Sequence, residues 1–234
     1  MTAPSILTEL RELGLESYRK VIRKHGAPES CLGVKISELK KIQNRVGTDH
    51  ALALSLYGTG IYDAMYLAGL LADDTLMTGK DLQRWVEAAS RPLIGSTVAW
   101  VTAGSPHGWE TALTWLESDQ EFVAAAGWAA PGSRVSVRPD AELDLKALKR
   151  LLHRVQKEIH QAPNLVRQQM NGFVIAVGCF VAPLTAEAIQ VGTQIGPVTV
   201  DVGDTDCRVP FAPDAIRKVE ARGSIGRKRK SAKC

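Results

Sequence analysis

From residue 3 to about residue 195 the sequence is a nearly unbroken series of segments whose apolar residues recur every three or four positions. That spacing puts them on one side of an α-helix, and the connections between segments are short. SILTELRELG offers Ser5 as an N-cap and sets Ile6, Leu7, Leu10 and Leu13 on one side. KISELKKIQNRVG offers Ser37 as a cap, with Leu39, Ile42 and Val46 as its stripe, and TGKDLQRWVEAAS turns Leu82, Trp85, Val86 and Ala89 inward. AELDLKALKRLLHRVQKEIH is the longest such segment, and NLVRQQMNGFVIAVGCFVA follows it after Pro163. Helices joined this closely pack antiparallel to their neighbours. The expected fold class is all-α.

Three places resemble one another weakly. MYLAGLLAD, AAAGWAAPG and IAVGCFVAP each hold a glycine, Gly69, Gly127 and Gly178, behind a small or β-branched residue in an apolar segment. A glycine there lets a neighbouring helix approach closely. Irregular helical repeats of the HEAT type tolerate such uneven spacing. A non-repetitive helical bundle is the other reading.

After residue 193 the pattern changes. PVTVDVGDTDCRVPFAPDAI carries β-branched residues at Val198, Thr199, Val200 and Val202 and then turn formers, which predicts a short extended pair or a loop over 196–213. A small helix is expected from Asp214. The chain ends SIGRKRKSAKC. From Arg217 onward Glu220 is the one acid among eight cations, so residues 1–216 are net acidic although the whole chain is +4. The expected division is one domain over 1–221 and a flexible basic tail over 222–234. Such asymmetry points to a polyanion partner, and a solubilising end is the competing account.

Few residues suggest catalysis. Cys31, Cys179, Cys207 and Cys234 lie far apart with no metal-ligand spacing, and Cys179 falls in an apolar run that reads as core. MTAPSILTEL lacks the basic start and apolar run of a signal peptide, so a reduced, cytoplasmic protein without a membrane segment is expected. Asp201, Asp204 and Asp206 do not have the spacing of a calcium loop and read as turn acids. No cofactor or metal is expected. Tryptophans 85, 100, 109, 115 and 128 fall on amphipathic segments, where core packing competes with base stacking.

The basic residues are better organised. Lys146, Arg150, His153 and Lys157 share one helical face, flanked by Lys149, Arg154 and His160. A rigid row of cations can follow a phosphate backbone; a solvated face is the plain reading.

Several stretches resemble the DNA alkylation repair family of HEAT-like-repeat DNA glycosylases, the AlkD type. They are YRKVIRKHGAPESCLGVKISELKKI, LALSLYGTGIYDAMYLAGLLAD with DLQRWVEAAS, VRQQMNGFVIAVGCFVAPL, and the basic ending GRKRKSAKC. The likeness covers most of residues 18–190. It implies stacked helix pairs with a basic concave surface for duplex or alkylated DNA. In active members a tryptophan-lined cleft and one Asp promote loss of an alkylated purine. The segment matching that Asp, AASRPLIGSTVAWVTAGSPHGW, has no carboxylate between Ala88 and Trp109, and the segment matching a backbone-holding Arg, QEFVAAAGWAA, has no Arg. The reaction is thus without its carboxylate, and the catalytic residue is unknown. Trp100 and Phe173 remain as aromatic-wall candidates. The expected function is DNA binding, with nucleoid association, in a divergent branch of the family. The expected contacts are Lys146, Lys149, Arg150, His153, Lys157, Arg167, Asn171, Arg227, Lys228, Arg229 and Lys230, with structural hydrogen bonding as the other reading of Arg167 and Asn171. A helical-repeat scaffold for a protein partner is the second hypothesis.

Overall fold

Helix α1 (Ala3–Leu13) begins where the sequence can satisfy its first free N–H groups. Thr2 accepts from the Ser5 amide, and the Ser5 hydroxyl accepts from the Thr2 amide. Ser5 is therefore the third helical residue and not the cap. The same reciprocal pair, Thr78 with Asp81, opens the helix at Gly79. Ser37 is likewise inside its helix, which starts at Ile36 with Lys35 at the cap.

The computed structural model describes residues 1–233, all of them helical or irregular; no strand occurs among the described residues. They form two compact units. The first holds residues 1–108 with 202–206 and 233, and the second holds 109–201 with 207–232. Cys234 lies outside the described residues.

The first unit contains α1, α2 (Glu16–Lys24), α3 (Ile36–Val46), α4 (His50–Tyr57), α5 (Tyr62–Leu71), α6 (Gly79–Ala88), α7 (Arg91–Leu93) and α8 (Ala99–Gly104). A π turn over Ile94–Val98 joins α7 to α8. Every residue of α5 is buried, which explains its lack of a polar face. Leu39 and Ile42 of α3 and Leu82, Trp85 and Val86 of α6 complete this core as their periodicity predicts. Tyr57 stacks on Trp85 at 3.9 Å, and its hydroxyl donates to the Trp85 carbonyl. The Asp63 carboxylate, 1% exposed, accepts from the amides of Leu32 and Val34 and so pins the turn before α3. Sequence reading missed this role. The signal was a lone acid in an apolar helix. Burial, and then the nearby Asp63 charge, push the Cys31 thiol up to about 11.

The second unit contains α9 (Gly108–Trp115), α10 (Glu121–Val137), α11 (Leu145–Glu158), α12 (Asn164–Phe180), α13 (Thr185–Ile195) and α14 (Ala212–Glu220). Helices α10 and α12 pack side by side, and α12 also meets α13 and α14. Trp128 and Phe173 meet edge to face between α10 and α12. Cys179 is buried here, as expected.

The three similar glycines mark three close helix approaches. A Cβ on Gly69 would stand 2.6 Å from a Thr97 methyl, one on Gly127 2.7 Å from the Leu116 amide, and one on Gly178 2.3 Å from Ile216. Each contact requires the missing side chain. The packing reason behind the repeat signal is thus real, although the units around each glycine differ.

Residues 196–211 form an irregular loop; the β-branched run over 198–202 is not paired as strands. Side chains of α12 and of His160, just past the end of α11, supply what a strand ladder would have supplied. Asn164 bonds both ways with the Asp201 backbone, Arg167 donates to the Thr199 and Ala162 carbonyls, Asn171 donates to the Pro210 carbonyl, and His160 bonds the Ile195 carbonyl.

Candidate nucleic-acid interface

The helix with the clearest basic stripe, α11, is amphipathic because Ala147, Leu148, Leu151, Leu152 and Val155 fall on its buried side. Asp144 caps it by accepting from the Ala147 amide, so its outward face is fixed from the first turn. Lys146, Lys149, Arg150, His153 and Lys157 are all exposed along that face. From Lys146 to Lys157 the helix rises about 16 Å, which spans several successive phosphates.

The stripe is not uniform. Glu187 of α13 ion-pairs with Lys149 and lies 2.8 Å from His153 Nε2. The Lys149 hydrogen bond and then His153 hold the Glu187 carboxylate below the ordinary range. Lys146, Arg150 and Lys157 are therefore the members whose charge Glu187 does not share. Arg154 belongs elsewhere. It is half-buried, paired with Glu117 and Glu158, and its guanidinium lies 6.0 Å from the Trp128 ring centroid.

The α12 candidates are engaged inside the protein. Asn171 is 4% exposed, and the two terminal guanidinium nitrogens of half-buried Arg167 donate to the Thr199 and Ala162 carbonyls. Of the two readings, structural hydrogen bonding is the one the geometry displays. The aromatic-wall candidates are corrected in the same way. Trp100 is 6% exposed with its ring against Tyr66, and Phe173 is 1% exposed against Trp128. Apolar rings on amphipathic helices go to the core, and neither presents a face for a base.

The tail divides residue by residue. The Gly226 amide donates to the Cys179 carbonyl and the Arg229 amide to the Ser136 carbonyl. Lys228 inserts its amine between the carbonyls of Val135 and Phe180 and pairs with Asp140 at 2.7 Å. These carbonyls lie in the last turns of α10 and α12, where the helix leaves them without partners. A lysine there also meets the negative end of each helix dipole. These contacts hold Gly226, Lys228 and Arg229 against α10 and α12. Lys233 does the same for the Ala72 carbonyl at the end of α5 and pairs with Asp74 at 2.8 Å. Arg227, Arg229 and Lys230 are left exposed.

The segment Ala88–Trp109 holds α7, the π turn and α8. Its polar groups there include the buried Thr97, Thr102 and Ser105. The Asp74 carboxylate packs on Gly104, but Lys233 already engages it, and burial raises its pKa. Among the described residues no cluster of three or more potential metal ligands forms, and no single helix is long and apolar enough to cross a membrane.

Comparison with known proteins bears on this arrangement. Residues 6–191 match the family described as DNA alkylation repair enzyme. An uncharacterized protein of Listeria monocytogenes is 30% identical over 230 residues, covering 95% of this chain and 99% of its own length. One of Listeria innocua is 29% identical over 228 residues with the same coverage. A solved structure superposes with a TM-score of 0.92 at 31% identity over the full length of both chains. It is described as a member of a new family related to the HEAT-like repeat DNA glycosylases with affinity for branched DNA structures.

Proposed function

The chain belongs to the DNA alkylation repair enzyme family and has its all-helical, HEAT-like repeat fold. From that premise we propose that it binds branched DNA by its phosphates and does not excise bases. The observation that carries this reading is the solvent-facing row Lys146, Arg150 and Lys157 on a rigid, capped helix. The exposed Arg227, Arg229 and Lys230 add further cations. Contacts of this kind neutralise phosphates and do not read base edges, so the protein discriminates by DNA shape. The structural relative's affinity for branched DNA supports that choice of target. The lack of any carboxylate from Ala88 to Trp109 supports binding without excision, because a departing purine leaves a cationic sugar that needs a nearby negative charge. A cytoplasmic, nucleoid-associated location goes with this reading.

The test is a fluorescence-anisotropy titration with a four-way junction, a three-way fork and a matched duplex at two salt concentrations. Tighter binding to the branched forms, weakening steeply with salt, is the expected result. Equal affinity for duplex and junction would remove branched DNA as the target. No saturable binding at low salt would remove DNA altogether and leave a protein-binding scaffold. Incubation with alkylated duplex should yield no abasic sites.

A further inference from the structure

One cavity of the second unit is lined in part by the inner flank of α11, and none of the proposed DNA contacts lies in it. It encloses about 390 Å³, within the range of small-ligand pockets. Its apolar floor is Ala124 from α10 with Val166 and Met170 from α12; Trp128 also lines it, but is buried with its ring already beneath the Arg154 guanidinium. Its polar lining holds three carboxylates, Asp119, Glu121 and Glu158, around a single cation, Arg154, with Ser118 and Gln161 able both to donate and to accept.

An anion is not what this lining calls for. The Arg154 fork donates to both oxygens of Glu117, and its Nε donates to Glu158 at 2.8 Å. The pair with Glu117 leads the causes that raise the Arg154 pKa, so its charge is fixed and neutralised within the protein. One Glu121 oxygen is occupied by the Leu165 amide. Asp119 and Gln161 stand exposed at the rim. Counting the four charged side chains of the lining, three carboxylates face one guanidinium, so the cavity is net negative. A net negative, carboxylate-rich lining beside the apolar side chains of Ala124, Val166 and Met170 suits a cation on an apolar stem.

We infer that this cavity binds a guanidinium carried on an aliphatic chain, the group an arginine side chain presents. A planar fork can take a rim carboxylate while its methylenes lie on the floor. The inference does not rest on DNA binding.

The test uses the full chain and the indole N–H resonances of its five tryptophans. Nα-acetyl-arginine amide is titrated against Nα-acetyl-citrulline amide, its neutral isostere, and free arginine is a third arm. The expected result is a saturable shift of the Trp128 resonance with the capped arginine and none with citrulline. A matching response to free arginine assigns the site to the amino acid as well as to a side chain within a peptide, whereas a response to the capped form alone assigns it to a peptide. Asp119→Asn, at an exposed rim position, should weaken binding about fivefold, the size of one surface charge pair. Absence of a Trp128 shift, an equal response to citrulline, or unchanged affinity in a folded Asp119→Asn variant would overturn the assignment.

Discussion

Helices α11 and α12 both present polar side chains at helical spacing, and both resemble phosphate-contacting surfaces in sequence. Their fates differ because their surroundings differ. Beside α12 runs an irregular loop whose carbonyls have no ladder to bond to, and Asn164, Arg167 and Asn171 are drawn into bonding them. Beside α11 the neighbouring backbone is helical and largely self-satisfied. There the cations face solvent, apart from the two that Glu187 engages and from Arg154, which pairs with Glu117 and Glu158. A polar side chain is free to meet a ligand only where nearby backbone groups have already found partners.

Reversing the charges of the solvent-facing row, Lys146→Glu with Arg150→Glu and Lys157→Glu, tests that contrast most severely. Removing three phosphate contacts should flatten the salt dependence by about 2.7 log units per log unit of salt. Affinity for a junction at low salt should fall on the order of 100-fold or more with the melting temperature nearly unchanged. Loss of stability without loss of affinity would place the row on the structural side. The α12 pair should behave the opposite way. Arg167→Ala and Asn171→Ala should each cost about 1–3 kcal/mol of stability, because loop carbonyls lose their donors, and leave the salt slope as it was. Denaturant melts set beside anisotropy separate these outcomes.

Glu187→Gln should release Lys149 and His153 and tighten DNA binding a few-fold, the scale of one exposed ion pair. The pH dependence has a definite sign. The folded protein holds the Glu187 carboxylate below its ordinary range, so its stabilising contribution is present above the unfolded value and lost as pH falls through the lowered one. Wild type and Glu187→Gln should therefore differ at neutral pH and converge in acid. The smallest effect belongs to cysteine chemistry. At pH 8 an alkylating reagent should modify exposed Cys207 and spare Cys31, whose thiol is buried and raised to about 11. Early modification of Cys31 would show that the turn held by Asp63 opens readily.

Much of the fold was legible because helix periodicity is a local property of the chain. The stripe of α11 and the inward Leu82, Trp85 and Val86 lie where their spacing places them. The close-packing glycines were legible as well, since a small residue among large apolar ones has few other uses. The cap positions were not, because Ser5 and Ser37 are plausible caps until Thr2 and Lys35 are seen to precede them. The irregular course of residues 196–211 was hidden for a different reason. Val198, Thr199, Val200 and Val202 have the composition of a strand, and only the donors on α12, more than 25 residues earlier, decide otherwise. The candidate site divides along the same line. Exposure on α11 follows from periodicity, whereas the engagement of Lys228, Arg167 and Asn171 depends on which distant carbonyls lack partners.

Lys228 has a consequence for how the end of this chain can be handled. Its amine closes the last turns of α10 and α12 at once, so the C-terminal segment acts as a fastener for two helices that carry much of the second unit's core. A protein truncated at residue 222 for convenience would lose that fastener together with the exposed cations around it. Its weakened DNA binding would mix two causes, one of charge and one of fraying. Neutralising Arg227, Arg229 and Lys230 while keeping Lys228 is the change that isolates the charge.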